Sequence, residues 1–83
     1  MVNIEQRLKQ QFNDCYPSEI AEAVENARRH AAEHKELTEY DRAGLVFLLA
    51  AMRLTRSGHL RQCYRASVQA LLHPYQHPAG VTA

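Results

Sequence analysis

The chain has 83 residues and a mass of 9.5 kDa, which is enough for one small domain and excludes a multidomain enzyme. Hydrophobic residues make up 46% and charged residues 23% of the sequence, a mixture typical of a folded globular protein rather than a disordered one. Three glycines and three prolines supply little turn material, which argues against an all-β fold. The longest uncharged run in the body of the chain, 43–52, is too short to cross a bilayer, so no membrane association is expected.

The cysteines and the first residues bear on the cellular compartment. Residues 1–5 lack the basic start and apolar stretch of an export signal, which predicts a cytoplasmic protein. Cys15 and Cys63 are too few for a disulfide framework and are expected to be free thiols. Neither belongs to a C-x-x-C motif, and each is expected on or near an apolar helix face, where a free buried cysteine is common.

Charge is unevenly distributed along the chain, although the net charge is only +1. Residues 1–41 contain all nine acidic residues and five of the ten basic ones, a net charge of −4, whereas residues 42–83 contain five arginines and no acid, a net charge of +5. The guanidinium group of arginine binds carboxylate and phosphate in a bidentate manner, so this asymmetry predicts an acidic partner, either protein or nucleic acid. The alternative is that the two halves neutralise each other, within one chain or across a dimer.

The first helix is short. Ile4, Leu8 and Phe12 recur at helical spacing and predict a helix over about 3–13. The Tyr16-Pro17-Ser18 turn that follows separates it from the next element.

The second helix is predicted over about 18–36, with Pro17 or Ser18 at its start. Its apolar stripe is narrow and rich in alanine, and consists of Ile20, Val24, Ala27 and Ala31. Such a stripe permits close approach of a neighbouring helix but buries little area, so this helix is expected to depend on its neighbours for stability.

The third helix is predicted over about 39–54, with Thr38 and Asp41 resembling a capping box at its start. Apolar residues occupy all its sides between Ala43 and Leu54, and a helix without a polar face is normally surrounded by other elements. Three other short helices cannot easily enclose it in a chain of this size. Part of the third helix is therefore expected to contact a second copy or a partner, and a homodimer is the expected assembly.

The fourth helix is predicted over about 59–72, with Ser57 as its N-cap. Its apolar face consists of Leu60, Tyr64, Ser67, Val68, Leu71 and Leu72. From His73 onward, prolines and small residues predict a disordered tail. The expected fold is therefore all-α, a small bundle of three main helices plus a short N-terminal helix, with one domain over 1–72 and a flexible tail over 73–83.

Histidine spacing raises the question of a metal site. His30 and His34 frame an H-x-x-E-H sequence, the spacing of inverted zinc peptidases. Those enzymes need a further ligand, commonly acidic, and no acid follows Asp41. His73 and His77 repeat the spacing, but Pro74 biases His73 away from helical geometry. No metal or other cofactor is expected, and whether either pair binds a metal stays open.

The sequence supports a catalytic site no better than it supports a metal site. Ser18 and Ser57 are at positions typical of helix caps, and the chain contains no glycine-rich phosphate loop. We therefore expect a protein that is not an enzyme.

The expected function is protein–protein interaction. Helical-wheel geometry places Arg42, Val46, Leu49 and Arg53 on one stripe of the third helix, a hydrophobic centre with arginines at both ends, as in an interface hot spot. This pattern predicts a small regulatory, adaptor or inhibitor protein that uses the apolar helix 39–54 to bind an acidic surface of a larger protein. The expected partner-binding residues are Arg42, Val46, Leu49, Arg53, Arg56, Arg61 and Arg65. The alternative for the stripe is that Val46 and Leu49 are ordinary core residues and the arginines reach into water.

A second, less favoured function is nucleic-acid binding. The third and fourth helices could form a helix-turn-helix-like unit in which Arg61, Gln62, Arg65 and Gln69 of helix 59–72 contact phosphates and base edges. Five arginines balanced by acids elsewhere are few for such a surface, and lysine is absent from the basic half.

Overall fold

A computed structural model describes residues 3–76, which form four α-helices and, within that range, no β-strand. In chain order the helices are α1 (Ile4–Gln11), α2 (Pro17–Ala32), α3 (Glu39–Leu54) and α4 (Gly58–Gln76). The predicted all-α fold, with three main helices and a short N-terminal one, is confirmed. The last part of the predicted tail, 77–83, lies outside the described residues.

Local side-chain caps explain where α3 and α4 begin. The backbone N–H of Asp41 donates to Oγ1 of Thr38 at 3.1 Å, and the N–H of Leu60 donates to Oγ of Ser57 at 3.2 Å. Each bond satisfies one of the N–H groups that the first turn of a helix leaves without a partner inside the helix. The predicted caps at both residues are confirmed, and so are the predicted bounds of α3.

Three helix ends differ from the prediction, and α1 ends at Gln11 rather than near 13. Helix α2 ends at Ala32 rather than near 36, and the chain then turns so that Leu37 is buried with 5% exposure. Helix α4 continues to Gln76 with Pro74 inside it, so residues 73–76, predicted as the start of the tail, are helical. The hydroxyl of Tyr75 donates to the carboxylate of Asp41, and this contact with α3 holds the last turn of α4 in place although proline disfavours a helix interior.

Helix α3 is the centre of the bundle, and α2 and α4 both run antiparallel to it. The end of α3 contacts the start of α2 through Arg53 and Glu22, and Arg61 at the start of α4 reaches the carbonyl of Thr55 just after α3. Helix α1 lies on another side of α3, where the guanidinium of Arg7 is 5.8 Å from the ring centroid of Phe47. The core consists of Leu8, Phe12, Ile20, Ala23, Val24, Ala27, Ala31, Leu37, Leu45, Val46, Ala50, Ala51 and Leu54.

Helix α4 contributes no fully buried residue to this core. Its apolar face packs on the core with half-buried side chains, and Leu60 is 45% exposed. Ser67, expected on that apolar face, is instead exposed, with its hydroxyl donating to the carbonyl of Cys63 at 3.1 Å. Phe47, Leu48, Leu49 and Met52 of α3 are likewise only half-buried. The described chain thus leaves part of the apolar surface of α3 uncovered.

Within residues 3–76, no helix combines the length and apolar character that crossing a membrane requires.

The position of the core can be tested by the same substitution at two sites. Leu45→Ala should lower the free energy of unfolding by about 2–5 kcal/mol, because Leu45 has 0% exposure and its truncation leaves a cavity. Leu60→Ala, on the half-covered face of α4, should cost less than about 1 kcal/mol. Urea denaturation followed by far-UV circular dichroism measures both changes. Equal losses would contradict the assignment of the core to α1, α2 and α3.

Candidate functional site

An open groove of 310 Å³ lies where α2, the end of α3 and the start of α4 meet. Its floor is apolar and consists of Ala23, Ala27, Leu49 and Met52, and its polar rim consists of Asn26, His30, Arg53 and Arg61. We call this site the arginine-rimmed groove. It brings together three of the residues predicted to bind a partner, namely Leu49, Arg53 and Arg61.

Arg53 is an exposed rim arginine that is paired with a carboxylate of α2. Its Nη2 donates to Oε1 of Glu22 at 3.3 Å, and the two side chains are 54% and 67% exposed. An ion pair this exposed contributes about 0–1 kcal/mol to stability, because water solvates both charges and salt screens them. A carboxylate from another molecule could therefore replace Glu22 at small cost.

Arg61 has a structural role in addition to its place on the rim. Its Nε donates to the carbonyl of Met52 at 3.2 Å and its Nη2 to that of Thr55 at 2.7 Å. The last carbonyls of a helix have no partner within the helix, and a cation is favourable at that end of the helix dipole. Arg61 thus completes the end of α3, while its Nη1 makes no hydrogen bond within residues 3–76.

Arg42 lies at the other end of α3 and holds the turn between α2 and α3. Its Nη2 is 3.1 Å from the carbonyl oxygen of His34, 3.4 Å from that of Leu37 and 3.5 Å from that of Lys35. Its Nε is buried without a hydrogen-bond partner. The guanidinium of Arg42 is therefore committed to this turn, and a partner would meet little of it.

The remaining predicted residues have different surroundings. Val46 is 2% exposed and belongs to the core, so a partner could reach Leu49 but not Val46 in this conformation. Arg56 is largely exposed, with its Nε 4.0 Å from Oδ2 of Asp14, and Arg65 is exposed on α4. The Arg53–Glu22 and Arg56–Asp14 pairs join the basic half of the chain to the acidic half, the neutralisation considered as an alternative above.

Two rim residues on α2 were not among the predicted site residues. Asn26 and His30 are spaced i, i+4, and with Ala23 and Ala27 they form one continuous side of the helix. A helical wheel of α2 extended by one position from the alanine stripe would have identified both.

The two histidines of the H-x-x-E-H spacing do not lie on one helix. Because α2 ends at Ala32, His30 is helical whereas His34 lies in the turn, with its Nδ1 3.5 Å from Oε1 of Glu36. The rings of His30 and His34 are 6.0 Å apart and tilted by 39°. No group of three or more possible metal ligands occurs in the part of the chain that the structure describes, and His77 lies outside that part.

The two cysteines are free thiols in different environments. Cys15 is half-buried, and this partial burial raises the pKa of its thiol, as do the carboxylates of Asp14 and Glu19, against the opposing effect of the Arg56 guanidinium. Cys63 is exposed on α4, which corrects the expectation of a buried position, and its Sγ is 3.8 Å from Nε2 of His59.

Comparisons with known proteins leave the function to be inferred from these residues. No family model, no curated protein and no solved structure matches the chain.

The structural role of Arg42 can be tested by removing its charge. Arg42→Met should lower the free energy of unfolding by about 1–2 kcal/mol, because the carbonyls of the turn lose their donor. Arg65→Met, the same change at an exposed arginine, should shift it by less than about 0.5 kcal/mol. Thermal and urea denaturation measure both variants. A variant at Arg42 as stable as the one at Arg65 would show that the turn does not need the guanidinium.

The thiols should differ in reactivity. Because the thiolate is the reacting form and the pKa of Cys15 is raised, Cys63 should react faster than Cys15 with an aromatic disulfide reagent at mildly alkaline pH. The rate at Cys15 should increase as the pH is raised further and its own thiol ionises. The single variants Cys15→Ser and Cys63→Ser allow each rate to be measured alone. A faster reaction at Cys15 would contradict the assigned environments.

Proposed function

We propose that this chain is a non-catalytic regulatory, adaptor or inhibitor protein that acts in the cytoplasm by binding an acidic segment of a larger protein in the arginine-rimmed groove. The observation that carries the proposal is the combination, in one open groove, of an apolar floor with arginines on the rim. Interfaces draw most of their affinity from such buried apolar centres, and arginine is enriched in them.

The floor supports burial of an apolar side chain from the partner. Leu49 and Met52 are half-buried, so contact with a partner would remove further apolar surface from water. Methionine is unbranched and flexible, which lets it adapt to side chains of different shape. The floor would therefore supply affinity for partners that carry different apolar side chains.

The rim supports recognition of carboxylates next to that side chain. Arg53 can exchange Glu22 for a partner carboxylate, and Nη1 of Arg61 is available for a second. Exposed charges of this kind increase the association rate and fix the orientation of the partner more than they increase affinity.

Selection of random peptides displayed on phage tests this proposal directly. Peptides enriched on the protein should carry aspartate or glutamate beside a large apolar residue, and their binding should weaken as salt rises. Methyl NMR signals of Leu49 and Met52 should shift when such a peptide is added. Enriched peptides without acidic residues, or shifts confined to other parts of the protein, would contradict the proposal.

A matched pair of charge reversals completes the test. Arg53→Glu should weaken binding of the selected peptides about tenfold, or about 1.4 kcal/mol, because it places a like charge on the rim. Arg29→Glu makes the same change in net charge on α2, where Arg29 is paired with Glu25 at 2.9 Å and does not line the groove, and should leave binding nearly unchanged. Arg61 is unsuitable for reversal, since its bonds complete the end of α3. If both substitutions weaken binding equally, the effect comes from the net charge of the protein and not from a contact in the groove.

The alternative, a helix-turn-helix-like nucleic-acid regulator using 59–72, has support in the exposed side of α4, where Gln62, Arg65 and Gln69 lie and no acid occurs. Its weakness is that Arg61, expected to contact phosphate, is bonded to carbonyls of α3 and its turn. Fluorescence anisotropy of a labelled random-sequence DNA duplex, titrated with the protein at two salt concentrations, separates the two functions. We expect no binding at low salt, and binding that collapses as salt rises would favour nucleic acid.

A further inference from the structure

A second apolar surface lies on a different side of α3, where it meets α1. It is a groove of 450 Å³ whose lining includes Ile4, Tyr40, Ala43, Phe47 and Leu48, which we call the Tyr40 face. Tyr40 is 88% exposed, Ala43 is exposed, and Phe47 and Leu48 are half-buried. A large aromatic side chain exposed beside half-buried apolar neighbours is characteristic of an interaction site. We infer that the Tyr40 face is the contact between two copies of this chain, with the two α3 helices antiparallel across a two-fold axis.

The spacing along α3 is self-complementary in that orientation. Tyr40, Ala43 and Phe47 follow each other at i, i+3 and i+7, so they lie on one stripe of the helix. The midpoint between Tyr40 and Phe47 falls between Ala43 and Gly44. A two-fold axis at this point brings Tyr40 of each copy onto Phe47 of the other, while Ala43, which is small and exposed, allows the helices to approach closely. Gly44 is covered by Leu71 of α4 and takes no part in this contact. Such an isologous contact makes every interaction twice.

The charges at the two ends of the face are complementary in the same orientation. Arg7 places a positive charge at one end, because its guanidinium is 5.8 Å from the ring centroid of Phe47. Glu39, the residue before Tyr40, places a negative charge near the other end and is exposed without an ion pair among residues 3–76. It lines the adjoining groove, which Arg28 and Arg42 also line. Antiparallel pairing brings Arg7 of each copy towards Glu39 of the other, whereas parallel pairing would bring like charges together. This complementarity is what favours a second copy over an unrelated apolar partner.

Sedimentation equilibrium of the full chain tests the inference. The protein should have twice the chain mass of 9.5 kDa and dissociate on dilution. Tyr40→Ser and Ala43→Glu should each shift it towards the monomer, the second because two like charges meet at the axis. Both residues are exposed, so the helical content measured by circular dichroism should not change. Ala66→Glu, at an exposed position on α4, is the control and should leave the mass unchanged.

The register is tested by charge reversal in two separate variants. Arg7→Glu alone and Glu39→Arg alone should each weaken the dimer about tenfold, because each opposes like charges at both ends of the contact. An equimolar mixture of the two should recover the wild-type association, since in the mixed dimer each altered end meets its complement. A wild-type monomer at all concentrations, a dimer insensitive to Tyr40→Ser and Ala43→Glu, or a mixture that fails to recover would overturn the inference. None of these outcomes depends on the arginine-rimmed groove.

Discussion

The need to enclose α3, a helix without a polar face, determines the rest of this structure. The chain covers α3 with three helices, and Leu45, Ala50 and Ala51 are completely buried as a result. The alanine stripe of α2 suits this task because small side chains let the two backbones approach closely. It also limits how much surface α2 can cover. The two grooves lie where this cover ends, which is why both have residues of α3 in their floor.

The concentration of arginine in the second half of the chain has a partly structural explanation. Arg42 binds carbonyls in the turn that leads into α3, and Arg61 binds carbonyls where α3 ends. A guanidinium suits these positions because it carries several donors in a fixed plane and stays charged. The charge asymmetry of the sequence therefore overstates the positive charge that is available to a partner. Of the two arginines on the rim of the arginine-rimmed groove, Arg53 is the one that can exchange its ion pair for a partner carboxylate.

The sequence was informative where structure is decided locally and uninformative where it depends on distant contacts. The bounds of α3 were predicted correctly because Thr38 caps it and its composition is strongly apolar. Local rules stopped α4 before Pro74, but Tyr75 is held by Asp41, which is 34 residues away in sequence. The proximity of Leu49 and Arg53 followed from helical spacing, whereas the role of Arg42 depends on where three turn carbonyls lie and could not be predicted.

The attachment of α4 has a consequence for the dynamics of the molecule. This helix has no fully buried residue, and its half-buried apolar side chains pack on the core. Three polar contacts add to this packing: those of Arg61 near its start, the hydrogen bond between Gln11 and Tyr64, and the contact of Tyr75 near its end. Elements with few buried contacts have the lowest free energy of local opening. Backbone amides of α4 would therefore exchange with solvent earlier than those of α2 and α3, and separation of α4 would open the bundle along Gly44, which its Leu71 side chain now covers. The last helix is therefore expected to open before α2 and α3 do.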